Sequence, residues 1–222
     1  MNIFEKLYHE LKEKYGKPKE QWRLWCKRPK TNKEREEVMI GAILTQRTSW
    51  RNVELALGNI KRARVLSIEK IYQLAKRNPE FLKNLIKPAG FYKIKAQYLF
   101  NLTRFFVVNY GSLEIMKKVD PKELREKLLK VKGIGPETAD SILLYALDKP
   151  IFVIDEYTKR LIKEKKLAEK INYCLSQKLF EENLRKDFRL YQDFHALIVI
   201  NGKNKKNENF CKGQTKGKRG KN

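Results

Sequence analysis

Residues 129–139 read Leu129-Lys130-Val131-Lys132-Gly133-Ile134-Gly135-Pro136-Glu137-Thr138-Ala139. Two glycines one residue apart permit a tight turn, and the proline directly after them suits the first position of a new helix. Outward on the N-terminal side, Asp120-Pro121-Lys122-Glu123 has the order that opens a helix: a capping acid, a proline, and a glutamate three residues after the cap. Leu124, Leu128 and Leu129 give that helix an apolar face. Outward on the other side, Thr138, Ala139, Ile142, Leu143 and Tyr145 continue a second helix, which breaks before Lys149-Pro150. The stretch 120–147 is therefore read as helix, hairpin, helix. Such a hairpin aims backbone N–H groups and a helix dipole outward, and both suit a phosphate. Lys132, Gly133, Ile134 and Gly135 are the candidate contacts, with Ile134 pinning the hairpin into the fold. A plain glycine-containing turn between helices has the same pattern, so the hairpin alone does not decide function.

Charge narrows the choice. The chain of 222 residues carries 50 Lys and Arg against 26 Asp and Glu, a net +24. Residues 202–222 hold eight basic residues and one acid, so +17 of that excess belongs to the body. An excess this large is self-repelling unless a polyanion offsets it, and nucleic acid is the common one. Taken with the hairpin, this charge makes DNA the expected partner. The cysteines, Cys26, Cys174 and Cys211, are far apart and form no Cys-x-x-Cys pair, which argues against a disulfide framework and a zinc site. With only His9 and His195, a histidine-rich metal site is excluded. No apolar run reaches the roughly 18 residues a membrane span needs. A soluble, monomeric, cytoplasmic protein, associated with the nucleoid if the cell is prokaryotic, is the reading.

Nearly every periodic stretch has helical spacing, among them Phe4, Leu7, Tyr8 and Leu11, and the apolar run from Val38 to Leu44. No alternating run survives inspection, so the chain is all-α. Residues 16–35 read as a connector carrying Trp22 and Trp25, and 204–222 as a basic tail that cannot fold alone.

Further stretches, in order, extend the pattern. Gly41-Ala42-Ile43-Leu44-Thr45-Gln46 lies upstream of Lys87-Pro88-Ala89-Gly90-Phe91-Tyr92-Lys93-Ile94-Lys95-Ala96. After the hairpin come Ile151-Phe152-Val153-Ile154-Asp155 and then Phe194-His195-Ala196-Leu197-Ile198-Val199. Together with the hairpin, these resemble the endonuclease III superfamily of helix-hairpin-helix DNA glycosylases over roughly residues 36 to 203. The resemblance implies two helical lobes with a DNA-binding cleft between them. Residues 36–149 form the central lobe with the hairpin, and 1–35 plus 150–203 the second. It also implies that Asp155 is catalytic, that Gln46 fills the gap left by a flipped-out base, and that Trp50, Trp25 and Trp22 wall the base pocket. The backbone carbonyls of Leu129, Val131 and Ile134 would hold a monovalent cation, Na+ or K+, under the hairpin.

Two departures shape the expected activity. Where the lyase members place a lysine beside the hairpin, this chain has Glu137, eighteen residues before Asp155. A carboxylate cannot attack the sugar to form an imine, so one-step hydrolysis of the glycosidic bond is implied. Glutamate there, with an aromatic such as Trp50 after the glutamine, resembles the bacterial 3-methyladenine branch. Of the four cysteines that hold an iron–sulfur cluster in many members, only Cys211 remains, so no cluster is expected. The chemistry is consistent with an alkylated purine, which stacks on indole and leaves readily. A carboxylate such as Asp155 stabilises the positive charge that develops on the deoxyribose. Asp is equally a favoured helix cap, which is the plain structural role for that residue. A bifunctional glycosylase and lyase acting on oxidised pyrimidines, and a hairpin module that only binds DNA, are the rival readings.

Overall fold

Capping residues set where the helices begin. The computed structural model describes residues 1–216, with side chains through residue 205. Asn2 caps α1 (Ile3–Tyr15) in a reciprocal box with Glu5, and its amide donates to Asn183 O at 2.6 Å. After the short α2 (Trp22–Trp25), Thr31 and Glu34 form a second box at the head of α3 (Asn32–Leu44). This helix starts at residue 32, inside the segment read as a connector. Next come α4 (Trp50–Arg62), α5 (Ile68–Arg77), α6 (Pro79–Ile86), a 3-10 turn (Lys87–Ala89), α7 (Tyr92–Asn109) and α8 (Leu113–Lys118). The hairpin arms are α9 (Pro121–Leu129) and α10 (Pro136–Ser141). Asp120 caps α9 by accepting from Lys122 N and Glu123 N. Past Ser141 the second arm widens into a π segment, Ile142–Ala146. The last helices are α11 (Glu156–Glu164), α12 (Tyr173–Asn183) and α13 (Phe188–Lys216). Among the described residues there is no strand, so the chain is all-α.

Backbone of the stretch 204–216, expected to stay unstructured, continues α13, and 217–222 lie outside the described residues. The reason is continuity: the helix enters this region from Ile198 and Val199, which are buried, so propagation adds residues without a new nucleus.

α3 is the spine. Val38, Met39, Ile40, Ile43 and Leu44 are fully buried, and the helix packs on α4, α7 and the π segment. α1 packs on α12 and α13, and α11 also packs on α13. The chain thus forms two helical lobes with the cleft between them. We propose the division 36–149 against 1–35 plus 150–203, which these packing partners support.

A buried charged cluster ties the lobes beneath the π segment. The Arg35 guanidinium, 4% exposed, donates to Ala146 O at 2.5 Å and pairs with Asp148 at 2.6 Å. Lys30 lies 4.0 Å from the same carboxylate and donates to Lys27 O, and Gln192 of α13 donates to Leu144 O at 2.7 Å. Burial brings the Lys30 ammonium down to about 8, against the pull of Asp148. The π widening frees backbone carbonyls that these side chains then satisfy.

Candidate active site

The hairpin turn depends on one glycine more than the other. Gly133 adopts φ +98°, and a Cβ there would lie 2.1 Å from the Tyr98 ring, so neither backbone nor neighbour admits a side chain. Gly135 is extended at φ −90°, with nothing within 4 Å of its would-be Cβ, and it caps α10 without a side-chain hydrogen bond. Ile134 is 5% exposed and anchors the turn in the core. Lys132 and Gly135 are exposed on the outer edge. The turn's carbonyls are braced from α7 and from the turn that follows α3. Asn101 donates to Lys132 O at 2.9 Å, and Gln46 donates to Gly133 O at 3.0 Å and to Thr138 Oγ1 at 3.1 Å.

Gln46 is itself set by Lys95. That ammonium is 1% exposed and donates at 2.8 Å each to Leu44 O, at the end of α3, and to Ala89 O. Burial lowers its pKa to about 8. The lysine of the Gly-Phe-Tyr-Lys-Ile-Lys-Ala stretch thus closes the end of the spine helix. In front of it, Phe91 holds φ +45° and is 63% exposed, with Ile94 beside it at 49%. These residues, with Arg47, Tyr98, the hairpin, Glu137, Ile154, Lys159 and Tyr173, line a cleft of about 770 Å³.

Asp155 stands one residue beyond Ile154 and caps α11. Its Oδ1 accepts from Thr158 N at 2.7 Å and from Thr158 Oγ1 at 2.9 Å. Its Oδ2 faces His195 Nε2 at 3.6 Å, an ion-pair distance too long for a hydrogen bond. Burial alone would raise this carboxyl. His195 and the Thr158 donors outweigh it and hold the group below the ordinary aspartate range. The cap and the catalytic reading therefore coexist in one side chain. Glu137 shifts the other way: withdrawal from water, then the charge of Asp155, raise its carboxyl, with His195 and Lys159 opposing. Its side chain remains exposed at the lip, so the shift carries no stability argument.

A second carboxylate, which sequence reasoning passed over, locks hairpin to cleft wall. Asp140 is fully buried and takes a bidentate pair from Arg125 at 2.7 and 3.1 Å, plus donors at 2.7 Å from both Tyr173 and Gln177. Gln177 also donates to Phe152 O, and Ile154 N donates to the Tyr173 hydroxyl. The extended run leading to Asp155 is thereby fixed against α10. An aspartate among Ala139, Ile142 and Leu143 was the visible signal, since a mid-helix acid on an apolar face needs a partner.

The tryptophans distribute differently from the expected three-walled pocket. Trp22 and Trp25 are 4% and 7% exposed and sit in the core, edge-on to one another at 5.9 Å and against Tyr145. Neither reaches the cleft surface, because each is covered by the aromatic cluster it nucleates. Trp50 is half-buried, edge-on to Trp25 at 6.2 Å, with its Nε1 buried and without a hydrogen-bond partner.

With the hairpin and the cleft described, and a capped aspartate directly behind the cleft-lining Ile154, comparison with known proteins settles the kinship. The sequence profile of the HhH-GPD superfamily base excision DNA repair proteins matches residues 40–186. The chain belongs to the HhH-GPD superfamily. A Methanocaldococcus jannaschii protein that bears the provisional name DNA repair glycosylase is 50% identical over 168 residues, covering 74% of this chain and 75% of its own. Endonuclease III of Thermotoga maritima is 33% identical over 136 residues, 60% of this chain and 58% of that protein. Among solved structures, the H. pylori 3-methyladenine DNA glycosylase MagIII, bound to 1,N6-ethenoadenine, superposes with a TM-score of 0.74 at 31% identity, covering 92% of this chain and 99% of that one. The HhH-GPD match takes in Gln46, the hairpin, Asp140 and Asp155, whereas His195 lies beyond it.

Proposed function

We propose that the chain is a monofunctional DNA N-glycosylase that flips a damaged base out of duplex DNA and hydrolyses its glycosidic bond. The base is an alkylated purine such as 3-methyladenine. One observation carries this reading: Asp155, whose carboxyl is held low at the head of α11, directly follows the cleft-lining Ile154 and acts through its charge on the cleft-lining Glu137, a carboxylate where an imine would need an amine. The resemblance to the H. pylori enzyme supports the substrate class. Asp155 Oδ2 stabilises the oxocarbenium-like sugar electrostatically as the bond to the base breaks. The phosphate on each side lies along Lys132, Gly133 and Gly135, whose amides and charge face the cleft edge. Exposed Phe91 and Ile94 form an apolar wedge at the lip that offsets the few kcal/mol lost on unstacking. Gln46, whose amide braces the hairpin in the free protein, must release Gly133 O or Thr138 before it fills the gap. The stacking wall is Trp50, and Trp25 and Trp22 act as its support.

No iron–sulfur cluster is part of this reading. The chain has three cysteines, one fewer than a four-thiolate cluster takes. Burial, with Asp193, moves the Cys26 thiol up to about 12, which disfavours a thiolate. A monovalent cation under the hairpin fits the donors only in part. Val131 O already accepts from Ile134 N at 3.0 Å, leaving one lone pair for a metal. Such an ion would neutralise a phosphate at the hairpin.

A lyase needs a free amine, and the cleft lysines are engaged. The depressed Lys95 is held by two carbonyls that favour its charged form, and Lys159 pairs with Glu156 at 2.7 Å. Single-lesion duplexes bearing methylated purines, oxidised pyrimidines, uracil, or thymine opposite guanine test the whole reading. Alkali-sensitive abasic sites should form on methylated purines, without strand breaks. Borohydride should trap no covalent complex. Efficient trapping, lost in Lys159→Gln, would replace this reading with the bifunctional one. Binding without release of any base would leave a hairpin module only.

A further inference from the structure

We infer that His195 is a positioning residue for base excision, anchored through Nδ1 on Tyr145 so that Nε2 faces Asp155 and keeps that carboxylate charged and aligned on the cleft. The inference rests on the glycosylase reading above, and one arm of its test does not.

His195 is 4% exposed on α13, and its ring is enclosed by Trp22 at 5.8 Å, Tyr145 at 5.8 Å and Phe152 at 6.4 Å between centroids. Nδ1 lies 2.7 Å from the Tyr145 hydroxyl, which in turn lies 3.2 Å from Gln192 O. Nε2 is buried, makes no hydrogen bond, and points at Asp155 Oδ2 across 3.6 Å. A buried polar atom without a hydrogen bond is costly unless its neighbour compensates, and here the neighbour is the carboxylate assigned to catalysis.

The proton positions follow from the partners. Gln192 O can only accept, and the Tyr145 hydroxyl has one proton to give. With His195 neutral, Tyr145 donates to Nδ1 and the ring proton sits on Nε2, facing Asp155. With His195 cationic, Nδ1–H donates to the Tyr145 oxygen, and the hydroxyl proton turns to Gln192 O. Nε2–H faces Asp155 at ion-pair distance in both states, and Nδ1 and the Tyr145 hydroxyl stay hydrogen-bonded in both. The arrangement thus keeps the same partners around His195 whether or not Nδ1 carries a proton.

The other charges around this ring come from each element packed on it. Glu137 of α10, at the lip, acts on the ring itself; Asp193 of α13 and Cys26 and Arg28 of the segment after α2 act on its partner Tyr145, and Lys203 of α13 acts on Asp155. Asp155 is the one whose carboxylate oxygen Nε2 meets at ion-pair distance. Without Nε2 the carboxylate would keep only the Thr158 donors, and burial would favour its protonated form.

Two variants and one spectrum test the inference. In single-turnover base release between about pH 5 and pH 9, His195→Phe should slow the reaction at least about tenfold and move its acid limb to higher pH by about a unit. Duplex affinity should stay within about twofold. His195→Gln returns a neutral N–H near the Nε2 place, and should recover most of the rate while flattening the pH profile. A folded His195→Phe protein with the unmodified pH profile overturns the inference. The chain has two histidines, so ring 1H–13C spectra with His9→Gln isolate His195. Asp155→Asn should displace the titration of those ring signals. An undisplaced titration also overturns the inference, whether or not any lesion is released and whether or not His195→Phe folds.

Discussion

At Asp155 the observed cap and the proposed catalytic role meet in one side chain, and a single substitution can separate them. Asp155→Asn keeps an oxygen for Thr158 N and loses the charge. Base release should fall by about a hundredfold or more, while stability changes by less than about 1 kcal/mol. Rapid turnover by the variant would remove Asp155 from the mechanism. The linkage has a definite sign. The folded carboxyl lies below its unfolded value, so its contribution is complete above about pH 4 and is lost as pH falls through the depressed folded value. Acid melts of the unmodified protein should show this loss, and Asp155→Asn should blunt it. Phe91 poses the opposite case, an exposed aromatic held at φ +45°. Phe91→Gly relieves that backbone and should leave stability unchanged or raise it by up to about 1 kcal/mol. Base release from duplex should drop all the same, and a destabilised variant with full activity would contradict the wedge. Residue chemistry alone read Asp155 as a helix cap, which it is, and its catalytic role came only through resemblance. His195 was equally visible in the Phe194-His195-Ala196 stretch. Its role was not, since Tyr145 and Asp155 meet it from positions 50 and 40 residues away.

At the level of helices, local signals fared best where one residue decides the matter. Asp120, Pro121 and Glu123 were read as a helix start, and α9 begins there. Periodicity could not distinguish a core aromatic from a pocket wall, which is why Trp22 and Trp25 read as either. The π segment left no signature, because widening a helix depends on Arg35 and Gln192 arriving from elsewhere to satisfy its carbonyls. The Asp140 hub joins α9, α10 and α12 in the same non-local way. Arg125 keeps one-fifth of its side chain exposed, so the loss on removing its partner should be near the lower end of the range for a buried pair. Asp140→Ala should cost about 3 kcal/mol in chemical denaturation, and should slow base release by loosening residues 152–154. A change under about 1 kcal/mol would show that Tyr173 and Gln177 find other partners.

For the molecule as a whole, the +24 charge makes a prediction in salt. The logarithm of duplex affinity should fall with the logarithm of salt by about 0.9 per phosphate neutralised. Removing residues 206–222 should flatten that slope if this stretch meets DNA, and an unchanged slope would deny it a part in binding. The cut leaves Lys205 and its ion pair with Glu164 in place, so the body should remain folded. Charge and helical periodicity were legible at this scale without any structure, since both are sums over many residues. The pairing of α1 with α12 and α13 was legible only through resemblance, because nothing local in Phe4, Leu7 or Leu11 names a distant partner.

That pairing has a consequence for how the protein is made. A ribosome delivers α1 first and its partners last, so the apolar face of residues 4–11 leaves the exit tunnel long before anything can cover it. The hairpin and its surrounding helices emerge together and can pack while synthesis continues. The half that holds Asp155 cannot close until residues 173–199 have appeared. Nascent chains arrested near residue 150 should therefore protect the middle of the sequence from protease while α1 is still cut. Base excision begins only when the two ends of the chain meet.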